Sequence, residues 1–177
     1  MKEWAESGFQ ANVNRDVSSP HENAALAAVG ATANNRAGQG FTYSHSERVD
    51  VRGYPTRRTR GSVVGQRTME TRPDGTRPNQ QGGRDVVEHK HLTGNTTVLH
   101  DTQQLRAQRQ MARKLNGEHE LVLSSDRGLM NGVPNVKPSS GVSARTGTIY
   151  YYEPTLGRVT HSWNGTEWTP IRLKKGG

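Results

Sequence analysis

The sequence predicts an α/β (α+β) domain in which a mixed central β-sheet is flanked by helices and followed by a C-terminal β-hairpin. Three observations predict it. A Gly82-Gly83 turn leads into β-branched Val86-Val87, and Leu121-Val122-Leu123 reads as a second, buried strand. Between them Leu105, Ala112 and Leu115 recur at helical spacing. Near the C-terminus, Arg158–Trp163 and Thr166–Ile171 flank Asn164-Gly165, a pair that favours a two-residue type I′ turn.

Length and composition narrow the possibilities. The 177 residues suit one domain with an additional arm. Hydrophobic residues make up 30% of the chain and mean hydropathy is −0.90, so the core is expected to be small and the loops extensive. The 24 Lys and Arg against 16 Asp and Glu give a net charge of +8, which implies a polyanionic partner, most commonly nucleic acid. The absence of cysteine excludes disulfides, cysteine-ligated zinc and thiol catalysis. No apolar run is long enough to span a membrane. The start, Met1-Lys2-Glu3-Trp4, lacks the apolar core of a signal peptide, so export would require a carrier.

In chain order, residues 1–48 read as an N-terminal arm with one short helix. Residues 49–177 read as the main domain, with its core over 70–125 and its C-terminal hairpin over 148–172. Ser18-Ser19-Pro20-His21-Glu22 is a helix start, with a serine cap and proline in the first turn, and Gly30 stops that helix. Residues 31–48, rich in Gly, Asn and Ser, read as loop with His45 exposed. Seven arginines then fall between positions 52 and 77, against Glu70 and Asp74. Arg57, Arg58, Arg60 and Arg72 from this cluster, with Arg106 and Arg109 on the following helix, are the candidate phosphate contacts.

Strand parity organises the candidate site. Glu88 and Lys90 are two apart and share a strand face, whereas Asp85 points to the other. If Thr76–Asn79 pairs with the strand from Gly83 to Leu92 around the loop Gln80-Gln81-Gly82, Asp74 faces Glu88; a one-residue shift makes it face Lys90. An exposed Glu-x-Lys pair contributes only ~0.2–1 kcal/mol. A carboxylate beside an ammonium is also half of a hard-cation site.

The helix at about Asp101–Leu115 is capped by Asp101 or Thr102 and ended by Asn116-Gly117. Gln104 and Gln108 lie four apart on one side of it. Residues 126–147 read as loop, and Thr148–Tyr152 as a strand whose tyrosines build core with the hairpin tryptophans. His89 and His91 share a face and form a weaker metal-binding pair. No Walker loop, dinucleotide fingerprint or serine-nucleophile elbow is present.

The order strand, Asp74, turn, strand with Glu88-x-Lys90, helix, strand resembles the PD-(D/E)XK nuclease superfamily, the restriction-endonuclease-like fold. Within it the chain resembles nuclease toxin domains of bacterial polymorphic toxins, over roughly Arg72–Ser125. The resemblance implies a Mg²⁺ (or Mn²⁺) ion held by Asp74 and Glu88, with Asp85 as second choice, and Lys90 acting on the attacking water. Gln104 would support the phosphate or the water, and Glu22 on the early helix is a further acidic candidate. Family members commonly place the first acid after a basic-Pro step, where this chain has Asn79. The resemblance further implies a DNA substrate in preference to RNA, a larger delivery protein, action in the cytoplasm of a target bacterium, and a cognate immunity protein. Two other readings are a metal-independent RNase using Glu88, a histidine and an arginine, and a non-catalytic nucleic-acid-binding module.

Overall fold

The computed structural model describes residues 21–34, 42–50, 52–56 and 65–172. In chain order the elements are α1 (Glu22–Ala28), β1 (Thr32–Ala33), β2 (Tyr43–Val49), β3 (Gly65–Thr71), β4 (Gly75–Pro78), β5 (Arg84–Leu92) and β6 (Val98–Leu99). There follow α2 (Gln103–Lys114), β7 (His119–Ser125), β8 (Leu129–Met130), β9 (Val133–Pro134), β10 (Lys137–Pro138) and α3 (Ser140–Arg145). The last three are β11 (Thr148–Glu153), β12 (Arg158–Trp163) and β13 (Trp168–Pro170).

A seven-stranded mixed sheet runs β1-β4-β5-β7-β11-β12-β13. Its centre is the parallel trio β5, β7 and β11, and its outer pairings are antiparallel. The centre reads as it does because β7 is buried along its whole length, which a strand covered on both faces requires. One face carries α1, whose Ala25 and Leu26 pack with Val87, Val122 and Tyr152. The other carries α2, where Leu105 joins Leu92, Leu121, Leu123 and Tyr151, while Met111 and Ala112 meet Val86. The β2–β3 ribbon is a separate antiparallel pair that packs against α2. Among the described residues no helix is long and apolar enough to cross a membrane.

Several sequence expectations are corrected. The described part of the early helix is Glu22–Ala28, preceded by His21, which makes no side-chain cap; the expected serine cap and proline, Ser18, Ser19 and Pro20, lie outside the described residues. Residues 31–48 are not all loop, because β1 joins the main sheet and β2 crosses the expected 48/49 boundary. Composition misled there, because strand pairing across β2–β3 supplies what Gly, Asn and Ser do not. His45 is buried, with Nδ1 2.6 Å from Gln110 Oε1 on α2. Residues 126–147 contain β8, β9, β10 and α3, the last capped by Ser139 onto Val142 N. The C-terminal hairpin pairs Trp163 with Trp168 across a four-residue loop, not a type I′ turn. There the Asn164 side-chain oxygen accepts from Thr166 N at 2.9 Å and Glu167 N at 2.8 Å, an asparagine turn in which only Gly165, at φ +105°, takes a positive φ. The aromatics of this region do build core, with Tyr151 edge-on to Trp168 at 6.0 Å and Trp168 edge-on to Trp163 at 5.2 Å.

Two glycines permit the β4–β5 turn to touch the α2–β7 turn. A Cβ at Gly117 would lie 1.8 Å from the Arg84 carbonyl oxygen, and one at Gly83 would lie 2.3 Å from that of Asn116. Both obstacles are backbone and cannot rotate away. Gly117→Ala is therefore expected to destabilise the fold by at least ~1–3 kcal/mol, the usual cost of overpacking. Gly82→Ala, whose φ of +80° is left-handed but whose surroundings are open, should cost only ~1 kcal/mol. Urea unfolding of the two variants checks the ranking.

Candidate active site

The site forms because β5 and α2 repeat at matching distances. Two residues along a strand advance ~6.7 Å, and four along a helix ~6 Å. Lys90 and Glu88 therefore meet Gln104 and Gln108 one for one. Lys90 Nζ donates to Gln104 Oε1 at 2.8 Å, and Gln108 Nε2 donates to Glu88 Oε2 at 2.8 Å. Thr102 starts the helix in this phase by accepting from Leu105 N, a cap worth ~1 kcal/mol.

Glu88 has no exposed surface. Its Oε1 lies 2.9 Å from Lys90 Nζ, and its Oε2 also accepts from the backbone N of Asp74 at 3.1 Å. The hairpin register pairs Gly75 with Val87 and Arg77 with Asp85 around the loop Gln80-Gln81-Gly82, so Asp74 comes opposite Glu88 as strand parity anticipates. The Asp74 carboxylate turns onto β5 and accepts from His89 N at 3.0 Å. Asp74, Glu88, Lys90 and Gln104 are thus brought together on the α2 face of the sheet.

The other candidates lie elsewhere. Asp85 faces the opposite side, where burial alone would raise its pKa. Hydrogen bonds from Glu118 N, Asn79 and Arg77 outweigh that burial and hold the carboxyl below its usual range. It is a buried structural anion and not the second metal ligand. Asn79 builds the turn, its side-chain oxygen accepting from Gln81 N and Gly83 N. Arg77 spans Asp85, Glu120 and the Val29 carbonyl, stapling the end of α1 to the sheet. His89 and His91 share Ser124 Oγ, at 2.8 and 2.7 Å, and His91 Nε2 meets Asp126 at 2.7 Å. They form a polar chain rather than a metal pair. Among the described residues there is no cluster of three or more His, Cys, Asp or Glu side chains suited to a metal.

The candidate phosphate contacts are also redistributed. Arg109 is buried and donates to Asp101 at 2.8 Å; Arg106 forks onto Glu47 at 2.9 and 3.1 Å. Arg72 donates to the Asn34 carbonyl at 2.8 Å. Arg109 is therefore not the open phosphate contact expected of it. Arg57, Arg58 and Arg60 lie outside the described residues. Glu47 would be raised by burial, but the arginines and His45 bonded to it bring its pKa down to about 2.

The sequence placed Gln108 beside Gln104 without a role for it, and His119 did not stand out. Gln108 is fully buried, and His119 Nε2 lies 2.8 Å from its Oε1. An amide oxygen only accepts, so His119 carries its proton on Nε2 and Gln108 is oriented with its NH₂ toward Glu88. The step match between Gln104/Gln108 and Lys90/Glu88 was the available signal. Mg²⁺ is commonly held by one or two carboxylates with waters and substrate phosphates completing its shell, and the two carboxylates in register here are Asp74 and Glu88. Asp74 and Glu88 would hold it. No family model, curated protein or solved structure matches the chain.

Burial, opposed only in part by the Glu88 charge, lowers the His119 pKa to about 4; burial, with the His91 charge, does the same for His89. Both are neutral in the folded state and titrate near 6.5 when unfolded. Their contribution is present above pH 6.5 and is lost as pH falls toward 4, with an upper limit of ~3 kcal/mol each. Urea midpoints measured from pH 7 to pH 4 should fall, and His119→Gln should flatten part of that slope.

Proposed function

We propose that the chain is a Mg²⁺- or Mn²⁺-dependent endonuclease with a restriction-endonuclease-like core, acting on DNA in preference to RNA. The observation that carries this reading is the register of Asp74 with Glu88, on one face with Lys90 2.9 Å from the Glu88 carboxylate. The connectivity supports it in part: Asp74 immediately precedes β4, and the turn, β5 with Glu88-x-Lys90, α2 and the returning β7 follow, with β5 and β7 parallel. The +8 charge supports a polyanionic substrate.

Asp74 and Glu88 would hold the metal, which would supply Lewis-acid stabilisation of charge on the phosphoryl oxygens. The chain's own groups do the rest. Asp74 and Glu88 are held before substrate arrives, because His89 N, Asp74 N and Gln108 already fix their oxygens. Lys90, steadied between Glu88 and Gln104, is placed to orient the attacking water. A histidine-assisted RNase is less well supported, since the His89 and His91 rings bond Ser124 on the opposite face and His119 reaches Glu88 through Gln108. On the likeness to polymorphic-toxin domains, we extend the proposal to an antibacterial effector. It would be carried by a larger delivery protein, act in the target cytoplasm, and be neutralised by an acidic immunity protein.

Incubation with plasmid and with total RNA, each with Mg²⁺ or chelator, tests the reading. Plasmid cleavage lost in chelator is expected; RNA-only cleavage that persists in chelator would overturn it. Lys90→Arg keeps the charge beside Glu88 but replaces the compact ammonium with a planar guanidinium that cannot orient the water in the same way. It should lower cleavage by ~10²-fold with little change in melting temperature. Lys90→Ala is a poorer probe than an exposed pair would make it, because an unpaired buried Glu88 costs ~3–5 kcal/mol.

A further inference from the structure

On the side of α2 away from the carboxylates lies a groove of about 860 Å³ that includes none of Asp74, Glu88 or Lys90. Its rim carries three exposed arginines from three elements: Arg48 of β2, Arg113 of α2 and Arg145 of α3. Among the described residues Arg48 and Arg113 enter no ion pair, and Arg145 only approaches Asp101 at 3.8 Å. Tyr54 stands on the same rim with 64% of its surface exposed. The floor is prearranged: Arg106 and Arg109 are fixed by Glu47 and Asp101. Arg109, nine-tenths buried there, keeps Nη1 without a hydrogen-bond partner among the described residues.

We propose that this groove binds a short segment of single-stranded nucleic acid, with phosphates on Arg48, Arg113 and Arg145 and one base stacked on Tyr54. It rests on the nuclease reading only in taking nucleic acid as the polyanion. Guanidinium groups set around a concavity grip phosphates without reading sequence. An exposed aromatic among them stacks on any base, which is how single strands are held without sequence preference. The volume argues against a duplex, since ~300–1,000 Å³ encloses a ligand of drug or nucleotide size. The groove therefore holds a strand that runs past the carboxylates' helix, not the scissile phosphate itself.

The test is fluorescence anisotropy with a fluorescein-labelled eight-nucleotide oligo(dT) and its oligo(rU) counterpart in chelator, so that cleavage plays no part. A hairpin duplex serves as comparison. The wild-type chain should bind the single strands more tightly than the duplex. Tyr54→Ala should weaken binding roughly 5- to 150-fold. The triple variant Arg48→Gln/Arg113→Gln/Arg145→Gln, all exposed positions, should lower the slope of log affinity against log salt by about 2. Absence of single-strand binding, equal or tighter duplex binding, or affinities unchanged in both variants would overturn the proposal. Binding with these properties by a chain that fails to cleave plasmid would leave the groove standing while the nuclease reading fell.

Discussion

The burial of the Glu88 carboxylate is the constraint on which the rest of the structure depends. A carboxylate removed from water is tolerated only when its charge is paired and its oxygens are bonded. Here Lys90 supplies the charge, and Gln108 and the Asp74 backbone supply hydrogen bonds. Each partner imposes a condition in turn. Asp74 N reaches Glu88 only in the hairpin register that Gln80-Gln81-Gly82 sets. Gln108 reaches it only if α2 starts at Thr102 and lies along β5. The amide of Gln108 points the right way because His119, at the start of β7, fixes its oxygen. One buried charge thus ties β4, β5, α2 and β7 to a single arrangement.

The two faces of the sheet solve the same problem differently. On the α1 face the buried Asp85 and Glu120 pair with the half-buried Arg77, and the three hold the turn and the end of α1 and leave little for chemistry. On the α2 face the polar groups are graded instead, from the fully buried Gln108 and Glu88 to the half-buried Lys90. That gradient points the ammonium outward while its carboxylate stays fixed. The β2–β3 ribbon adds a second charged layer beyond α2, in which Glu47 gathers Arg67, Arg106 and His45.

Much of this was legible in the sequence because it follows from short-range periodicity. Period-two alternation set Glu88 and Lys90 on one face and Asp85 on the other, while a three-residue loop put Asp74 opposite Glu88 or Lys90, and the β4–β5 register selects Glu88. The elements that escaped depend on partners far away in the chain. β2 lacks strand composition and exists through pairing with β3. His45 is buried because α2 brings Gln110 to it. Gln108 and Gln104 look alike on a helix surface; only the matched steps of helix and strand separate a buried amide on Glu88 from a partly exposed one on Lys90. The four-residue loop at Asn164 escaped for a local reason, since an asparagine side chain can build its own turn as readily as adopt a left-handed one.

In the proposed reading, the register of β4 on β5 makes Asp74 and Glu88 a two-carboxylate site for one hard cation. Titration of the chain with Mn²⁺, followed by the loss of the free-ion electron paramagnetic resonance signal, measures this without substrate. One ion should bind per chain, with affinity reduced at least about tenfold in Asp74→Asn and in Glu88→Gln but unchanged in Asp85→Asn, each shown to be folded by circular dichroism. One-site binding that survives in Asp74→Asn and Glu88→Gln, or its absence from the parent chain, would contradict the claim.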